Sequence, residues 1–323
     1  MKIGVLTSGG DSPGMNCAIR AIVRAGIHYH HEIFGIYRGY AGLINGEISP
    51  LSLRDVGNII QRGGTILRSS RCKEFHTLEG RSLATAQLNK WGIESLIVIG
   101  GDGTFNGAMA LFQESKIPII GIPGTIDNDI TGSDYSIGFE TAVENAVEAI
   151  DKIRDTALSH DRVFFVEVMG KNSAALAQRI AICSGAEMAI LPNKPIPYQE
   201  IDTVIQRGLK RGKTSSIFIV AEGHVSGRAQ EVKDETLKRF KIESHVCILG
   251  HIQRGGAPST QDRFFATQMG LSAIEEMTQQ KIPFPLAVVV RSAKVTIVPL
   301  NECLQKNMNA SEDFAKSISI TSI

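Results

Sequence analysis

Cysteine is scarce. The 323 residues hold five, Cys17, Cys72, Cys183, Cys247 and Cys303, an odd number with no CxxC spacing. That pattern excludes a disulfide framework and a zinc site, and a reducing cytoplasmic setting is expected. Net charge is nearly absent. Lys and Arg total 34 against 33 for Asp and Glu, leaving +1. This balance argues against a general nucleic-acid binder but leaves room for a local cationic pocket. No apolar run approaches the ~18 residues of a membrane span, so no membrane association is expected. The opening MKIGVLTSGGDSPGMN reads as a strand running into polar turn chemistry rather than as a signal peptide. Low-complexity segments are lacking; Pro192, Pro195 and Pro197 mark a loop, not a linker. What remains is an ordinary globular composition, 43% hydrophobic and 21% charged, of a length suited to about two domains.

Short apolar runs recur along the chain: Ile3–Leu6, Ile33–Tyr37, Leu96–Ile99, Ile117–Ile122, Val163–Val168, Ala189–Leu191, Ile217–Ala221, Val246–Leu249 and Leu286–Val290. Runs this apolar suit strands covered on both faces, as in parallel sheets. Helical patterns alternate with them, over Asn16–Tyr29, Leu78–Lys90, Phe105–Glu114, Gly138–Thr156, Gln199–Lys210 and Ser259–Glu276. In the fourth, Val143, Ala146, Val147, Ile150 and Ile153 form one stripe. The alternation predicts an α/β, doubly wound architecture. The last twenty residues are poorly patterned and receive no function.

Two glycine-rich turns follow strands and open helices: Thr7 to Asn16 (TSGGDSPGMN), and Gly100-Gly101-Asp102-Gly103-Thr104. Glycines let backbone amides approach a ligand, and the helix N-terminus behind them favours phosphate. Neither turn is a Walker A, because no GK[ST] follows. Asp102 suits Mg²⁺ bound directly or through water; its alternative is the N-cap of a helix starting near Phe105.

A third strand end carries Pro123-Gly124-Thr125-Ile126-Asp127-Asn128-Asp129. In an extended stretch, Asp127 and Asp129 would share a face beside Thr125. Such a pair can divide labour, one group taking a proton and the other organising it. An Asx-turn cluster explains the same spacing. Cations sit at further turns: Arg68 and Arg71 after Gly63-Gly64, Arg162 after Ser159-His160-Asp161, Lys171 in Met169-Gly170-Lys171, and Arg254 in His251-Ile252-Gln253-Arg254-Gly255-Gly256. They suit phosphate oxygens or are solvated surface charges. His28, His30 and His31 read as a solvated helix end.

In this order, TSGGDSPGMN, GGDGT, PGTIDND, EVMG, AEG and GHIQRGG resemble the bacterial ATP-dependent 6-phosphofructokinase family, over about residues 1 to 270. The resemblance implies two similar doubly wound lobes with the active site in the cleft between them. The larger, ATP-binding lobe would comprise 1–137 and about 254–303, the smaller, sugar-phosphate lobe 138–253 and about 304–323. It implies transfer of the γ-phosphoryl of ATP to the C1 hydroxyl of fructose 6-phosphate, with Mg²⁺. Gly9, Arg71, Cys72, Gly101, Asp102, Gly103 and Thr104 would contact ATP, and Asp102 would hold the metal. Asp127 would be the base, supported by Thr125, Asp129, Arg71 and Lys171. The sugar phosphate would meet Thr125, Ile126, Asp127, Arg162, Met169, Gly170, Lys171, Glu222, His245, His251, Ile252, Gln253 and Arg254. Effector binding, of ADP or GDP and phosphoenolpyruvate, would fall to Arg20, Arg24, Arg154, Gly185, Glu187, Arg211 and Lys213 of a homotetramer; Arg54 is one position away from a further family arginine. Gly103 and Gly124 stand where pyrophosphate users of the family carry Asp and Lys. Both therefore favour ATP, since a side chain at either would fill nucleotide space.

Three positions depart from the family pattern, all on the sugar side. His245 stands where relatives have an Arg donated across a subunit interface, Lys171 replaces the Arg of MGR, and Ala174-Ala175-Leu176 replaces a Gly-Asp or Gly-Phe pair. These departures leave open a different acceptor, such as sedoheptulose 7-phosphate, or a nucleotide-binding regulatory paralogue. The retained Asp127 argues against the latter, because a sensor needs no base.

Overall fold

The computed structural model describes residues 1–159, 162–279, 285–305 and 312–321. His160 and Asp161, part of the turn preceding Arg162, lie outside them. The chain divides into two compact units, Met1–Thr141 with Arg254–Asn307, and Ala142–Gln253 with Met308–Ile323.

The first unit begins with strand β1 (Lys2–Thr7), helix α1 (Met15–His28), β2 (Glu32–Ile36), α2 (Gly39–Asn45) and β3 (Ile48–Leu51). It continues through α3 (Leu78–Trp91), β4 (Ser95–Gly100), α4 (Asp102–Ser115) and β5 (Ile119–Pro123), and α5 (Phe139–Ser159) carries the chain out of it. The second unit contains β6 (Val163–Val168), α6 (Ala175–Ser184), β7 (Met188–Ile190), α7 (Tyr198–Lys210), β8 (Ser216–Ala221), α8 (Arg228–Phe240) and β9 (Ser244–Ile248). The chain then returns through α9 (Thr260–Thr278), β10 (Leu286–Arg291) and β11 (Lys294–Pro299). A last helix, α10 (Glu312–Thr321), belongs to the second unit.

In the first unit seven strands run in the order β11-β10-β5-β4-β1-β2-β3. The inner pairs are parallel, and only the two edge strands are antiparallel. Alternation along each strand sorts the core. Ile3, Val5, Ile97 and Ile99 face the layer of α1 and α9. Leu6, Leu96 and Val98 face the layer of α2, α3 and α4. The central strands β4, β5 and β10 are apolar at nearly every position because both faces are covered. The second unit repeats the scheme with four parallel strands, β7-β8-β6-β9, packed on α7 and α8 through Phe165, Phe218, Ile201 and Val232. Among the described residues no helix is long and apolar enough to cross a membrane.

Every expected strand and helix is present, with ends moved by a few residues. Six elements give no readable pattern. Edge strand β3 carries Pro50, tolerated only where no ladder partner is needed, and β11 is the opposite edge. In α8 only Ala229, Val232 and Thr236 are buried, so its apolar stripe is short. Helix α6 is apolar nearly all round and lacks a capping side chain, while α2 has only seven residues. Helix α10 occupies the unpatterned tail; it packs on α6 and β7 and buries Ile318.

Candidate active site

Three of the expected turns stand at the carboxyl ends of adjacent strands in the first unit: after β1, β4 and β5. Open α/β sheets bind ligands at this edge. Hydrogen bonds join the turns. The amide of Ser8 donates to Ile99 O at 3.0 Å, and that of Gly124 donates to Gly100 O at 2.9 Å. The hydroxyl of Thr104 donates to Ser8 O at 3.1 Å, and a Cβ on Gly100 would stand 2.3 Å from that hydroxyl oxygen. Gly100 must therefore lack a side chain for the turns to close. Thr104 is 4% exposed. Its amide bonds to Gly101 O, and its carbonyl accepts from the Tyr40 phenol at 2.6 Å. All of its polar groups serve the turn. Burial in turn pushes the Tyr40 phenol well above its usual range.

The two family-marking glycines have different surroundings. A Cβ on Gly103 meets no atom within 4 Å, so this position opens onto free space. A Cβ on Gly124 would lie 3.0 Å from Ile99 Cγ2 and 3.2 Å from Met15 Cε. The expectation that a side chain at 124 would start into nucleotide space is corrected: that direction leads into the core.

Asp102 is the first residue of α4 and Gly101 its N-cap, with no capping side chain. The N-cap reading of Asp102 thus falls, because the helix begins three residues earlier than its apolar pattern suggests. The half-buried Asp102 carboxylate accepts from Asn106 Nδ2 at 2.9 Å. A helix N-terminus, oxygen donors and open space beside Gly103 fit a Mg²⁺ ion carried mainly by phosphates and water.

The third turn is not extended. Ile126 and Asp127 form a turn, and Asn128 takes a left-handed φ of 47°. The Asp127 amide donates to Thr125 Oγ1 at 3.2 Å. Consequently Asp127 and Asp129 do not share a face, contrary to the extended reading. Asp127 is 6% exposed, whereas Asp129 is exposed. The local Thr125 contact overrides the two-residue alternation.

Several motif residues turn out to be clamps. Asn16 donates to the carbonyls of Arg62 and Gly63 and accepts from the Ile66 amide. Thr7 bonds to Thr65 and to Arg68 O. Together they hold the loop bearing Arg71, which is exposed and has no hydrogen bond or ion pair among the described residues; Cys72 beside it packs half-buried on the core. Arg254 donates to Asp11 O at 2.8 Å, tying the last expected motif to the first. Pattern reasoning missed Asp262 entirely. It is fully buried and accepts from Tyr135, Gly138, Thr141 and Ser259. An acid inside the otherwise mixed helix α9 was the available signal.

In the second unit, Met169 and Gly170 follow β6 and are buried, while Lys171, with φ 45°, is exposed. Gln253 is fully buried and its Oε1 accepts from the Met169 amide at 2.9 Å, so it braces this turn from within. His251 and Ile252 are exposed. Glu222 follows β8, its amide bonded to Val168 O at 2.9 Å. Arg162 precedes β6 and is half-buried, and His245 is exposed on edge strand β9.

Of the expected effector residues, four come together in this unit. Arg154 donates to the carbonyls of Ser184 and Gly185, and the buried Glu187 pairs with Lys213 at 2.6 Å. Arg211 is exposed. Arg20 and Arg24 lie on one face of α1 in the other unit. The histidine reading needs amendment: His28 and His30 are exposed, but half-buried His31 contacts the N-terminal amine at 3.4 Å and Thr278 Oγ1 at 2.9 Å.

The chain is similar to known proteins along most of its length. The family model described as phosphofructokinase matches residues 2–277. An ATP-dependent 6-phosphofructokinase of Thermus thermophilus is 48% identical over 305 residues, covering 94% of both chains. That of Bacillus subtilis is 51% identical over 282 residues, 87% of each. The solved phosphofructokinase of Saccharomyces cerevisiae superposes with a TM-score of 0.88 at 34% identity; 99% of the present chain is covered, spanning 47% of the yeast one. With the family model matched along most of its length, and with close relatives aligned nearly end to end, the chain belongs to the phosphofructokinase family.

Proposed function

We propose that this protein is an ATP-dependent 6-phosphofructokinase, moving the γ-phosphoryl of Mg-ATP to the C1 hydroxyl of fructose 6-phosphate to give fructose 1,6-bisphosphate and ADP. The observation that carries the reading is the first unit's strand-end edge. Open space above Gly103 adjoins the Asp102 carboxylate on a helix N-terminus, and Asp127 lies on the neighbouring turn. Phosphoryl transfer requires positioning and charge neutralisation more than covalent help from the protein.

In this reading Gly9, Arg71, Cys72 and Gly101 to Thr104 hold ATP, with Thr104 acting through the turn it closes. Asp102 holds Mg²⁺, which supplies neutralisation of phosphate charge. Asp127 takes the C1 hydroxyl proton as that oxygen attacks the γ-phosphorus and ADP leaves. Thr125 orients Asp127, as the 3.2 Å bond from the Asp127 amide suggests; Asp129 assists from the exposed side. Arg71 and Lys171 neutralise charge at the transferred group. Ile126, Arg162, Met169, Gly170, Glu222, His245, His251, Ile252, Gln253 and Arg254 form the acceptor side, Gln253 and Arg254 through the backbone they brace. Arg20, Arg24, Arg154, Gly185, Glu187, Arg211 and Lys213 bind ADP, GDP or phosphoenolpyruvate. The protein acts as a homotetramer in the cytoplasm.

The test is initial rates with Mg-ATP while fructose 6-phosphate is titrated, beside Asp127→Ala. Saturating turnover that the variant loses supports the assignment. Turnover only with another sugar phosphate, such as sedoheptulose 7-phosphate, would move the acceptor; ATP binding without turnover on any sugar would leave a regulatory role.

A further inference from the structure

Strand β6 reads Val-Phe-Phe-Val-Glu-Val, and its one charged residue, Glu167, is 1% exposed. A buried carboxylate is costly unless it is fully hydrogen-bonded. Here the donors come from the start of α8. Oε1 accepts from Ser226 Oγ at 2.6 Å and from the Gly227 amide at 2.8 Å, and Oε2 accepts from the Ala229 amide at 2.8 Å. Helix α8 has no cap of its own, because its N-cap is Gly227, at φ 110°. Glu167 supplies the missing cap from the neighbouring strand, where a carboxylate also meets the positive end of the helix.

The same residue reaches a second segment. Its backbone carbonyl accepts from the Leu249 amide at 3.0 Å, at the entry to Gly250–Arg254. The following residue, Val168, accepts from the Glu222 amide. One strand end therefore fixes the Glu222–Gly227 loop at both ends: Val168 holds Glu222, and the Glu167 side chain holds Ser226 and Gly227.

We infer that Glu167 is a positioning residue for the acceptor side, setting the loop that carries Glu222 without touching substrate. This rests on the kinase reading above, in which Glu222 belongs to the acceptor side. Glu167→Gln keeps the size but offers one acceptor oxygen where two are needed, and it turns an N–H toward backbone amides. The loop then loosens between Glu222 and Ala229.

The experiment uses the full chain. Hydrogen exchange, read without substrate, is expected to accelerate at least tenfold at residues 222–229 in Glu167→Gln and to stay unchanged around Asp102 and Asp127. With saturating Mg-ATP, KM for fructose 6-phosphate is expected to rise about tenfold, while KM for ATP stays within twofold. Ser226→Ala, which removes one donor at an exposed position, gives a smaller change of the same kind and carries the test if Glu167→Gln does not fold. Faster exchange with an unchanged sugar KM would reduce Glu167 to a structural cap. Equal loss toward both substrates would overturn the inference as well. If the unaltered chain shows no fructose 6-phosphate turnover, the kinase reading fails first, and unchanged exchange at 222–229 would then independently overturn the clamp.

Discussion

Gly103→Asp should separate ligand space from fold stability. The added side chain meets nothing within 4 Å, so no packing is lost. Replacing glycine by aspartate in a helix gains only about 0.1–0.3 kcal/mol of propensity, and an acid in the first turn gains about 0.3–1 kcal/mol from the helix dipole. Repulsion from adjacent Asp102 offsets part of this, so Tm is expected to hold or to rise by a few degrees, at roughly 2–4 °C per kcal/mol for a unit of this size. ATP binding should respond oppositely. A carboxylate about 5 Å from one phosphate charge, at an effective dielectric constant of about 20, is repelled by about 3 kcal/mol. That corresponds to a roughly hundredfold weaker ATP interaction. Gly124→Ala is the counterpart. Its Cβ would press on Ile99 and Met15 at 3.0 and 3.2 Å, and such overpacking costs about 1–3 kcal/mol, so Tm should fall. Thermal denaturation and KM for ATP measure both. If Gly103→Asp leaves KM for ATP within twofold, the assignment of this space to nucleotide is wrong; a Tm lower by several degrees would contradict the open surroundings of Gly103.

His245→Arg should restore a charge-assisted phosphate contact worth about 1.5–3 kcal/mol, lowering KM for fructose 6-phosphate roughly ten- to a hundredfold in steady-state assays; an unchanged KM would mean that another cation already fills the role. Asp262→Ala leaves the buried donors of Tyr135, Gly138 and Thr141 without their acceptor. Denaturant unfolding should show a loss of about 3 kcal/mol or more, and a loss under 1 kcal/mol would contradict the network. His31 has its pKa lowered by burial, with the N-terminal amine adding to the effect. The folded state thus prefers the neutral ring, and the unfolded state binds more protons just below its ordinary value. This stabilisation is present above about pH 6.5 and is lost as pH falls through the folded value. His31→Gln should flatten the dependence of Tm on pH over that interval; an identical slope would exclude His31 as its source.

The two glycine cases show how far motif reading reaches. Both glycines belong to recognisable strings at strand ends, and strings locate them correctly. Their reasons differ, and the difference lies in what stands beside each Cβ direction: nothing for Gly103, and core side chains for Gly124. Asp127 and Asp129 illustrate the same gap. Spacing alone puts them together, but a hydrogen bond to Thr125 and the left-handed Asn128 turn one in and leave the other out.

By itself the sequence determined most of the succession of strands and helices, the three strand-end turns and the family, because apolar periodicity and turn chemistry are local properties readable within a few residues. Tertiary structure alone decided the partners. Asn16 reaches a loop some fifty residues away, Asp262 gathers donors from 135–141, and Glu167 caps a helix sixty residues downstream. A buried polar group is tolerated only where its hydrogen bonds are met, and those partners exist only once distant segments are packed together.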